Sequence, residues 1–454
     1  MRGTGDSRSI SKAALSRRGF LQATAAASAA FAAPTFLPAR ALGAGGWVAP
    51  SERVGIGMIG LGREAIHKNL PVFLRHPLSQ VVALCDVDRW RLEQQQAKEP
   101  LKGCFATTDF RQLLDRPDVD GVMVTTPDHS HVPIAMAAIR AGKDVSCEKP
   151  IGLCIEHGRL LADAAAEANC VFRTDSEFRS IPLWFRAVSL VRTGKIGQLR
   201  TMRMAVPLWN RPLPMQPEMP IPDELDYDLW LGPAPDAPYT EQRVHPRRGY
   251  GRPGWYANRT YCDGVISNWG YHPADIAQWG NDSERTGPVE IEGRGDFPPR
   301  DGLWNVMLGF DVRYRYADGV ELFYTALSDT SQGQSYVRFE GTEGWICVWY
   351  GPDRLEAQPE SILEAEVGPE EFPFQRKNEK HDFIDCMVSR SRTLQDAEVG
   401  HRSSSIGQLG YIACQVERKL TWDPAAERFA GDEEANELLG LPPARPPWDG
   451  LLSG

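Results

Sequence analysis

Short apolar runs alternate with amphipathic stretches between about Arg53 and Thr174, and this alternation is the clearest pattern in the chain. The apolar, largely β-branched runs are 54–59, 81–84, 121–125, 144–147 and 170–173. The amphipathic stretches between them are 64–75, 88–99, 129–141 and 155–168. Continuous apolar runs predict strands buried on both faces, and the helical spacing between them predicts crossover helices. The segment therefore predicts βαβ units that build a parallel sheet.

The pattern changes after about Ile181, where longer alternations of polar and apolar residues replace the short apolar runs. Predicted strands are 199–207, 306–317, 320–327, 334–340 and 345–350. Predicted helices are 183–193, 380–389 and 401–419. The turns Asp318-Gly319 and Thr342-Glu343-Gly344 are typical of hairpins that join antiparallel strands. We therefore expect a large, mostly antiparallel open sheet in the second half of the chain.

These elements predict two domains, one at 52–175 and one at 176–420. The segment 209–255 is rich in proline and tryptophan, and we expect an ordered loop there because aromatic side chains can anchor it. The Pro-rich tail at 421–454 is expected to pack on its own domain or on a neighbouring subunit.

The first 41 residues have the layout of an export signal. Arg17 and Arg18 precede Phe20 and an alanine-rich stretch, and Ala39-Arg40-Ala41 offers a small-residue cleavage site. Paired arginines before an apolar stretch are typical of a twin-arginine signal. We therefore expect the twin-arginine translocase to export the folded protein to the periplasm or the extracellular space, with any cofactor already bound.

Composition narrows the class of partner. The chain carries 50 basic and 60 acidic residues, a formal net charge of −10, which argues against nucleic acid as a ligand. Its nine cysteines form no Cys-x-x-Cys pair, so the sequence predicts neither a zinc site nor a disulfide framework.

A glycine-rich turn follows the first predicted strand and opens the first predicted helix. Its residues are Gly60, Leu61, Gly62, Arg63, Glu64 and Ala65. They fit the G-x-G-x-x-G/A fingerprint of a Rossmann domain, in which the pyrophosphate of a dinucleotide lies at a helix N-terminus. The second strand ends at Asp86, whose carboxylate would bind the adenosine ribose diol and repel a 2′-phosphate. The sequence therefore predicts an NAD site and favours NAD over NADP, although Arg89 follows closely.

Polar residues also follow the third and fourth strands, where ligands of open parallel sheets bind. Thr126, Pro127 and His131 follow the third strand, and Glu148 and Lys149 end the fourth. Lys149 would place a cation near the nicotinamide and the reacting oxygen.

Taken in order, these motifs resemble the Gfo/Idh/MocA family, named for glucose–fructose oxidoreductase and inositol dehydrogenase. The residues that carry the resemblance are Gly60, Gly62, Ala65, Asp86, Thr126, Pro127, His131, Glu148, Lys149, Pro150, Gly264, Asn268, Gly270, His272 and Asp275. The resemblance implies an N-terminal Rossmann domain, a C-terminal α/β domain with an open sheet, and an active site between them.

The resemblance also implies catalytic residues. Lys149 and the Asn268/His272 pair occupy the positions of the family's lysine and its Asp-x-x-x-His pair. His272 would remove a hydroxyl proton, and Lys149 would stabilise the developing alkoxide. Asn268 stands where the family usually has aspartate, so either His272 works without an acid partner, Asp263 or Asp275 supplies one, or the chemistry is altered.

Further candidate substrate contacts are Arg179, Trp255, Tyr256, Arg259, Tyr261 and Asp275. Aromatic faces stack on sugars, and arginines bind hydroxyl or carboxylate groups. The first functional hypothesis is an NAD-dependent oxidoreductase that acts on a secondary alcohol of a sugar, a cyclitol or a derivative, with the cofactor recycled internally.

Two alternatives stay open. One is an NAD-dependent glycoside hydrolase or lyase, in which transient oxidation of one carbon permits elimination at its neighbour. The other is a non-catalytic carbohydrate-binding protein that retains NAD. We also expect a homo-oligomer through the second sheet, because an exposed apolar sheet face needs a cover.

Overall fold

The first sheet is a parallel sheet of the Rossmann type. Its strands are β1 Val54–Ile59, β2 Ser79–Cys85, β3 Phe105–Thr107, β4 Gly121–Val124, β5 Asp144–Glu148 and β6 Phe172–Asp175. They lie in the order β3-β2-β1-β4-β5-β6, and every pair is parallel. The strand order reverses between β1 and β4, and this reversal opens a crevice at their carboxyl ends.

The computed structural model describes residues 48–49, 52–208, 211–331 and 334–452. The export signal expected at 1–41 lies outside the described residues. Within the described ranges, no helix is both long and apolar enough to cross a bilayer.

Within the described residues, five α-helices connect the strands of the first sheet. They are α1 Leu70–Arg75, α2 Arg89–Gln96, α3 Phe110–Leu114, α4 His131–Arg140 and α5 Ile155–Glu167. A π-helical turn at Ala65–Asn69 precedes α1, where a continuous α-helix was expected. Pro71 has no N–H for a helical hydrogen bond, and the wider turn before it accommodates this. The short elements β3 and α3 were not predicted, since three and five residues hold too few repeats to show a period.

In the part of the chain that the structure describes, the second sheet has nine strands and is mostly antiparallel, as the sequence predicts. Its strands are β7 Leu199–Pro207, β8 Glu290–Asp296, β9 Gly309–Arg315, β10 Glu321–Leu327, β11 Ser335–Gly341, β12 Trp345–Tyr350, β13 Arg354–Gln358, β14 Leu420–Asp423 and β15 Arg428–Phe429. Their order is β13-β12-β11-β7-β10-β9-β8-β14-β15. Among the described strands of this sheet, only β7 and β10 pair in parallel. Both expected hairpins are present, in register Arg315↔Glu321 and Glu340↔Trp345.

The remaining helices lie against one face of the second sheet or return to the first domain. They are α6 Pro182–Arg192, α7 Tyr227–Leu231, α8 Tyr271–Gly280, α9 Glu379–Ser389, α10 Ala397–Val416 and α11 Glu433–Asn436. Short 3₁₀ turns occur at Asp128–Ser130, Phe178–Ser180, Gly254–Ala257, Gly264–Ile266, Glu360–Glu364 and Trp448–Leu451. Side chains of α6, α8 and α10 share one buried core with the inner face of the sheet.

The hydrophobic cores beside the two sheets are built from residues on both sides of the expected domain boundaries. Helix α9 lies within 176–420, yet Phe383 and Met387 pack in one cluster with Ile56 of the parallel sheet. The boundary at 420/421 falls inside β14, which pairs with β8. The tail beyond it packs on its own chain, where the Trp448 ring lies 5.7 Å from that of Phe110.

The outer face of the second sheet is charged and aromatic, so the expectation of an exposed apolar face was wrong. Across the central strands, Arg203 and Arg313 both lie over the ring of Phe323, at 4.8 and 5.9 Å. On neighbouring strands Arg338 lies 4.0 Å from the centre of the Trp345 ring. The aromatic surface is thus covered by guanidinium groups.

Candidate active site between the two sheets

A cavity of 490 Å³ opens where the carboxyl ends of the parallel strands face the second domain. The first domain contributes the ends of β1, β2, β4 and β5, and the second contributes α8 and the loop before it. Lys149 of the first domain and Asn268 and His272 of the second line this cavity together. The volume is typical of a small-molecule site.

The glycine-rich turn leaves room for a diphosphate. Gly60 has a φ of +89°, and a Cβ there would lie 2.5 Å from the Thr125 carbonyl oxygen, so only glycine fits. A Cβ on Gly62 would meet no atom within 4 Å, so the space above the turn is open. Ala65 is fully buried under the turn, and the exposed Arg63 lines the cavity. These residues fit the pyrophosphate of NAD.

Asp86 lies at the end of β2 and lines the same cavity. Its carboxylate accepts the Leu61 N–H at 2.6 Å and the Asp88 N–H at 2.8 Å, which fixes it beside the glycine turn. Burial raises the pKa of Asp86, while the nearby Arg91 and the two N–H donors lower it. Arg89 donates instead to the Asp223 carbonyl, away from this carboxylate. The arrangement fits the ribose diol of NAD.

A strap from the second domain closes the edge of the cavity beside Asp86; it comprises residues 245–250. His245 Nε2 lies 3.1 Å from Asp88 Oδ2. Arg91 donates to the carbonyls of Pro246 and Gly249, at 3.4 and 3.1 Å. The Tyr250 hydroxyl accepts from Gln95 at 2.8 Å. The second domain is therefore bound directly to helix α2 and its N-cap Asp88, and the helix begins three residues after Asp86.

The ends of β4 and β5 are held by two buried side chains. His131 places Nδ1 2.8 Å from the Pro150 carbonyl and Nε2 2.9 Å from the Thr126 carbonyl, so it braces both strand ends. Asn69, in the π-helical turn, donates to Glu148 at 2.9 Å and to Thr125 at 3.1 Å. Burial raises the pKa of Glu148 well above its usual value. Pro127, His131 and Glu148 line the cavity, and Asn69 supports Glu148 from behind the lining.

Lys149, Asn268 and Asp128 form a chain of hydrogen bonds across the two domains. Lys149 Nζ donates to Asn268 Oδ1 at 2.9 Å and to its backbone carbonyl at 3.1 Å. Asn268 Nδ2 donates to both carboxylate oxygens of Asp128, at 2.9 and 2.8 Å. The amide is oriented by a cation on its oxygen side and a carboxylate on its nitrogen side. One of the three ammonium hydrogens of Lys149 is left for a ligand oxygen.

His272 is buried against aromatic rings, with Phe178 stacked on it at 4.6 Å. Its Nδ1 lies 2.8 Å from the Ser176 hydroxyl and 3.7 Å from Glu177 Oε2. Burial, followed by the charge of Lys149, lowers the pKa of His272 well below its usual value. The nearby carboxylate favours hydrogen on Nδ1, which leaves the Nε2 lone pair of a neutral ring to accept a proton.

Neither aspartate expected beside His272 is its partner. Asp275 forms a buried bidentate ion pair with Arg179, at 2.8 and 2.7 Å, and accepts from Ser403. Asp263 lies 2.6 Å from Arg259. Asp128, 140 residues before Asn268 in sequence, supplies the carboxylate of the constellation instead, and it does so through the amide.

Four of the six expected substrate contacts lie outside the cavity, and those assignments were wrong. Arg179 and Asp275 neutralise each other inside the core. Arg259 pairs with Asp263 and stacks on Tyr411 at 4.6 Å. Tyr261 is fully buried, with its ring 4.9 Å from that of Trp230. Trp255 and Tyr256, in contrast, line the cavity as expected.

Several cavity residues were not singled out from the sequence. They are Asp128, Glu177, His245, Trp269 and Tyr350. Asp128 lies within the Thr-Pro-Asp-His-Ser-His strand end, so its position after a strand was a usable signal. Trp269 lies between Asn268 and Gly270 of the later motif, and Tyr350 ends β12. Glu177 and His245 come from loops, where no local pattern marks them.

Comparison with known proteins gives short sequence matches. A levoglucosan dehydrogenase from Pseudarthrobacter phenanthrenivorans is 35% identical over 98 residues, which are 22% of this chain and 25% of that protein. A glycosyl hydrolase family 109 protein from Saccharopolyspora erythraea is 31% identical over 157 residues, 33% of this chain and 34% of that protein. The matched part of the chain spans between a quarter and about half of the length of these and other curated relatives.

Solved structures match over most of the chain. The aldose–aldose oxidoreductase from Caulobacter crescentus, complexed with glycerol, has a TM-score of 0.61 at 19% identity and covers 81% of this chain and 99% of its own. GenD2 from gentamicin A biosynthesis, in complex with NAD, has a TM-score of 0.59 at 19% identity, with 86% and 100% covered. At this identity the likeness shows the fold.

Family models match both domains. The model described as the oxidoreductase family, NAD-binding Rossmann fold, matches residues 54–176. The model of the same family's C-terminal alpha/beta domain matches residues 208–450, more than half of the chain. Together with the glycine turn and Asp86, these matches show that the chain belongs to the Gfo/Idh/MocA oxidoreductase family and that its first domain is an NAD-binding Rossmann fold.

Proposed function

We propose that the protein oxidises a secondary alcohol of a sugar, a cyclitol or a derivative and keeps its cofactor bound between turnovers. The observation that carries this proposal is the convergence of Lys149, Asn268 and His272 on the cavity that the glycine turn and Asp86 also line. Relatives named levoglucosan dehydrogenase and 1,5-anhydro-D-fructose reductase support a sugar-like substrate.

The chemistry divides between the cofactor and the side chains. NAD bound in the cavity supplies the acceptor for the two electrons that leave the alcohol carbon. Neutral His272 accepts the hydroxyl proton at Nε2, and the ammonium of Lys149 stabilises the negative charge that develops on the oxygen. Asn268 holds Lys149 in place, and the aromatic side chains of Trp255 and Tyr256 exclude water.

The strap supports retention of the cofactor. Its bonds from His245, Pro246, Gly249 and Tyr250 to helix α2 close the cavity beside the ribose site. Release of NAD from this pocket therefore needs the two domains to separate locally. An exported enzyme would meet little free NAD, so internal recycling between an alcohol donor and a carbonyl acceptor suits the expected location.

The proposal is tested on the purified, full chain. Acid denaturation should release about one NAD per protein, measured by chromatography of the supernatant. A panel of free sugars and cyclitols should then reduce the bound cofactor, read as absorbance at the wavelength of reduced nicotinamide. Absence of bound NAD and of NAD binding by calorimetry would contradict the cofactor assignment. Bound NAD that no polyol reduces would contradict the substrate class.

A second candidate is the redox-type glycosidase. The match to glycosyl hydrolase family 109 proteins favours it, at 31% and 30% identity over parts of the chain. Aryl glycosides offered without added NAD distinguish the two functions. Release of the phenol without net reduction of the cofactor supports the glycosidase, whereas reduction without cleavage supports the oxidoreductase.

We also propose that the chain is exported by the twin-arginine translocase and assembles into homo-oligomers. The paired residues Arg17 and Arg18 and the small-residue site at 39–41 support export. Replacing both arginines with lysine should keep the protein in the cytoplasm, as judged by cell fractionation. Arginine and aromatic residues, both enriched at protein interfaces, support assembly through the outer face of the second sheet.

A further inference from the structure

A second cavity of 530 Å³ adjoins the candidate active site. Three residues line both spaces, namely Arg252, Pro253 and Tyr256. The remaining lining of the second cavity comes from Arg211, Glu241, Gln242, Pro246, Gly254, Ala257 and Trp304. All of these residues belong to the second domain. The two cavities therefore share a wall, and a ligand that extended past Tyr256 would reach from the first into the second.

The second cavity is cationic although the chain as a whole is acidic. Arg211 and Arg252 both line it, and Glu241 is its one acidic lining residue among those that the structure describes. Glu241 is already engaged, because its Oε1 accepts the Arg247 N–H at 3.1 Å. In the adjoining segment 243–252, Arg247 is paired with Glu224 and Arg243 donates to the Pro238 carbonyl, so the positive charge of the cavity itself comes from Arg211 and Arg252. Such a local excess of positive charge attracts and binds anions.

The walls of the second cavity are fixed and amphipathic. Trp304 Nε1 donates to the Gln242 carbonyl at 2.9 Å, which holds the indole in place. The Arg252 guanidinium lies 5.1 Å from the centre of the Tyr256 ring. The Tyr256 hydroxyl is buried and has no hydrogen-bond partner among the described residues. An unpartnered hydroxyl between two cavities is a natural donor to a bound ligand, since burial without a partner is costly.

We propose that the second cavity binds the oxyanion-bearing portion of an extended substrate whose sugar ring occupies the first cavity. Guanidinium groups bind carboxylate and phosphate oxygens in the same forked geometry, so the shared chemistry is an oxyanion. The indole and phenol faces pack on the group that links the oxyanion to the sugar. This inference rests on the proposed function for the sugar ring, and it names the substrate class as acidic glycosides or glycosyl derivatives.

The test uses one sugar with four aglycones: phenyl, 4-carbamoylphenyl, 4-carboxyphenyl and 4-phosphonophenyl. Binding to the NAD-loaded full chain is measured by titration calorimetry, and KM is measured from reduction of the bound cofactor. The 4-carboxyphenyl or the 4-phosphonophenyl glycoside should bind about tenfold more tightly than the neutral 4-carbamoylphenyl glycoside, as expected for hydrogen bonds to a charged group. The stronger of the two anions identifies the natural oxyanion.

The preference is the Kd of the neutral glycoside divided by the Kd of the anionic one. Arg211→Gln and Arg252→Gln should each lower this ratio toward one. The matched control is Arg200→Gln, an exposed arginine on β7 that lies outside both cavities, and it should leave the preference unchanged. Equal binding of charged and neutral glycosides, or an undiminished preference in both cavity variants, would overturn the inference. Because calorimetry needs no turnover, failure of the redox function appears separately, as binding without reduction.

Discussion

At the scale of single residues, the amide of Asn268 takes the place of a carboxylate without removing the negative charge from the site. Asp128 lies on the far side of the amide, with both oxygens within 2.9 Å of Asn268 Nδ2. Because Asp128 accepts both hydrogen bonds from the amide nitrogen, the amide cannot flip. Its oxygen therefore points to Lys149 and accepts the hydrogen bond from Nζ. Burial raises the pKa of Asp128, and His131, Asn268 and Lys149 counter that effect.

Exchanging the two side chains tests this arrangement. Asp128→Asn alone should lower kcat by about 10- to 100-fold, the equivalent of one hydrogen bond to a charged group, because the charge-assisted contact that orients the Asn268 nitrogen is lost. Asn268→Asp alone puts two carboxylates in contact, which raises the pKa of one of them and shifts the pH profile. The double variant should recover most of the activity, since the new amide at 128 can donate to the new carboxylate at 268.

The measurements are kcat, KM and the pH profile of cofactor reduction, with thermal unfolding and NAD content as controls for folding. A purely structural role for Asp128 would leave the double variant as impaired as the worse single variant. A double variant with no recovery would thus remove Asp128 from the positioning of Lys149.

His272 predicts a specific pH dependence. Its pKa lies well below 6.5, because burial and the charge of Lys149 both disfavour the imidazolium. The neutral base therefore persists as pH falls through 6.5, and kcat/KM for cofactor reduction should show no acid inflection at or above that value. An inflection near 6.5 that disappears in His272→Asn would contradict the shifted pKa. The same substitution should lower kcat by about 10²- to 10⁴-fold.

At the scale of elements, the strap at 245–250 is expected to control the lifetime of bound NAD. His245→Ala removes the contact with Asp88, and Tyr250→Phe removes the acceptor for Gln95. The double variant should lose NAD at least about tenfold faster, since two hydrogen bonds, one of them to a carboxylate, no longer hold the strap closed.

The loss of NAD is followed by dialysis against buffer and by exchange with labelled NAD. Arg75→Ala, which alters an exposed residue of α1, serves as the control and should retain the cofactor like the parent protein. Equal retention in all three proteins would show that the domain contacts around Asp86, rather than the strap, hold the cofactor.

Elements with a clear period could be predicted from the sequence, and those governed by tertiary packing could not. The strands and helices around the glycine turn repeat apolar residues often enough to be recognised. Helix α9 was placed in the second domain by its position in the chain, but its apolar face packs beside Ile56 in the first. Nothing in a local pattern records which of two cores an amphipathic helix will cover.

Some residues of the candidate site could likewise be predicted from the sequence, and others depend on tertiary packing. Gly60, Gly62 and Asp86 could be predicted because they immediately follow strands, and the carboxyl edge of a parallel sheet is where ligands bind. The contact between Asp128 and Asn268 joins residues 140 positions apart and exists only once the domains dock. Arg179 and Asp275 carry suitable chemistry but satisfy each other inside the core.

At the scale of the whole molecule, the outer face of the second sheet is a large surface whose charges alternate. Arg203 and Arg313 flank Phe323, and the carboxylate of Glu340 lies 3.4 Å from Arg203 and 2.7 Å from Arg338. A surface with both signs of charge around half-buried aromatic rings can pair with a second copy of itself, because each arginine can meet an acid of the partner.

Charge reversal at the centre of this face should therefore dissociate the proposed oligomer. Arg203→Glu combined with Phe323→Asp removes the stacked pair and leaves acids next to Glu321 and Glu340, so two copies of the face would repel each other. Light scattering coupled to size-exclusion chromatography should give the mass of one chain for this variant and a multiple of it for the parent. Glu167→Lys, on an exposed position of α5, should not change the mass. A parent protein of one-chain mass, or a variant that keeps the parent's mass, would exclude this face as the interface.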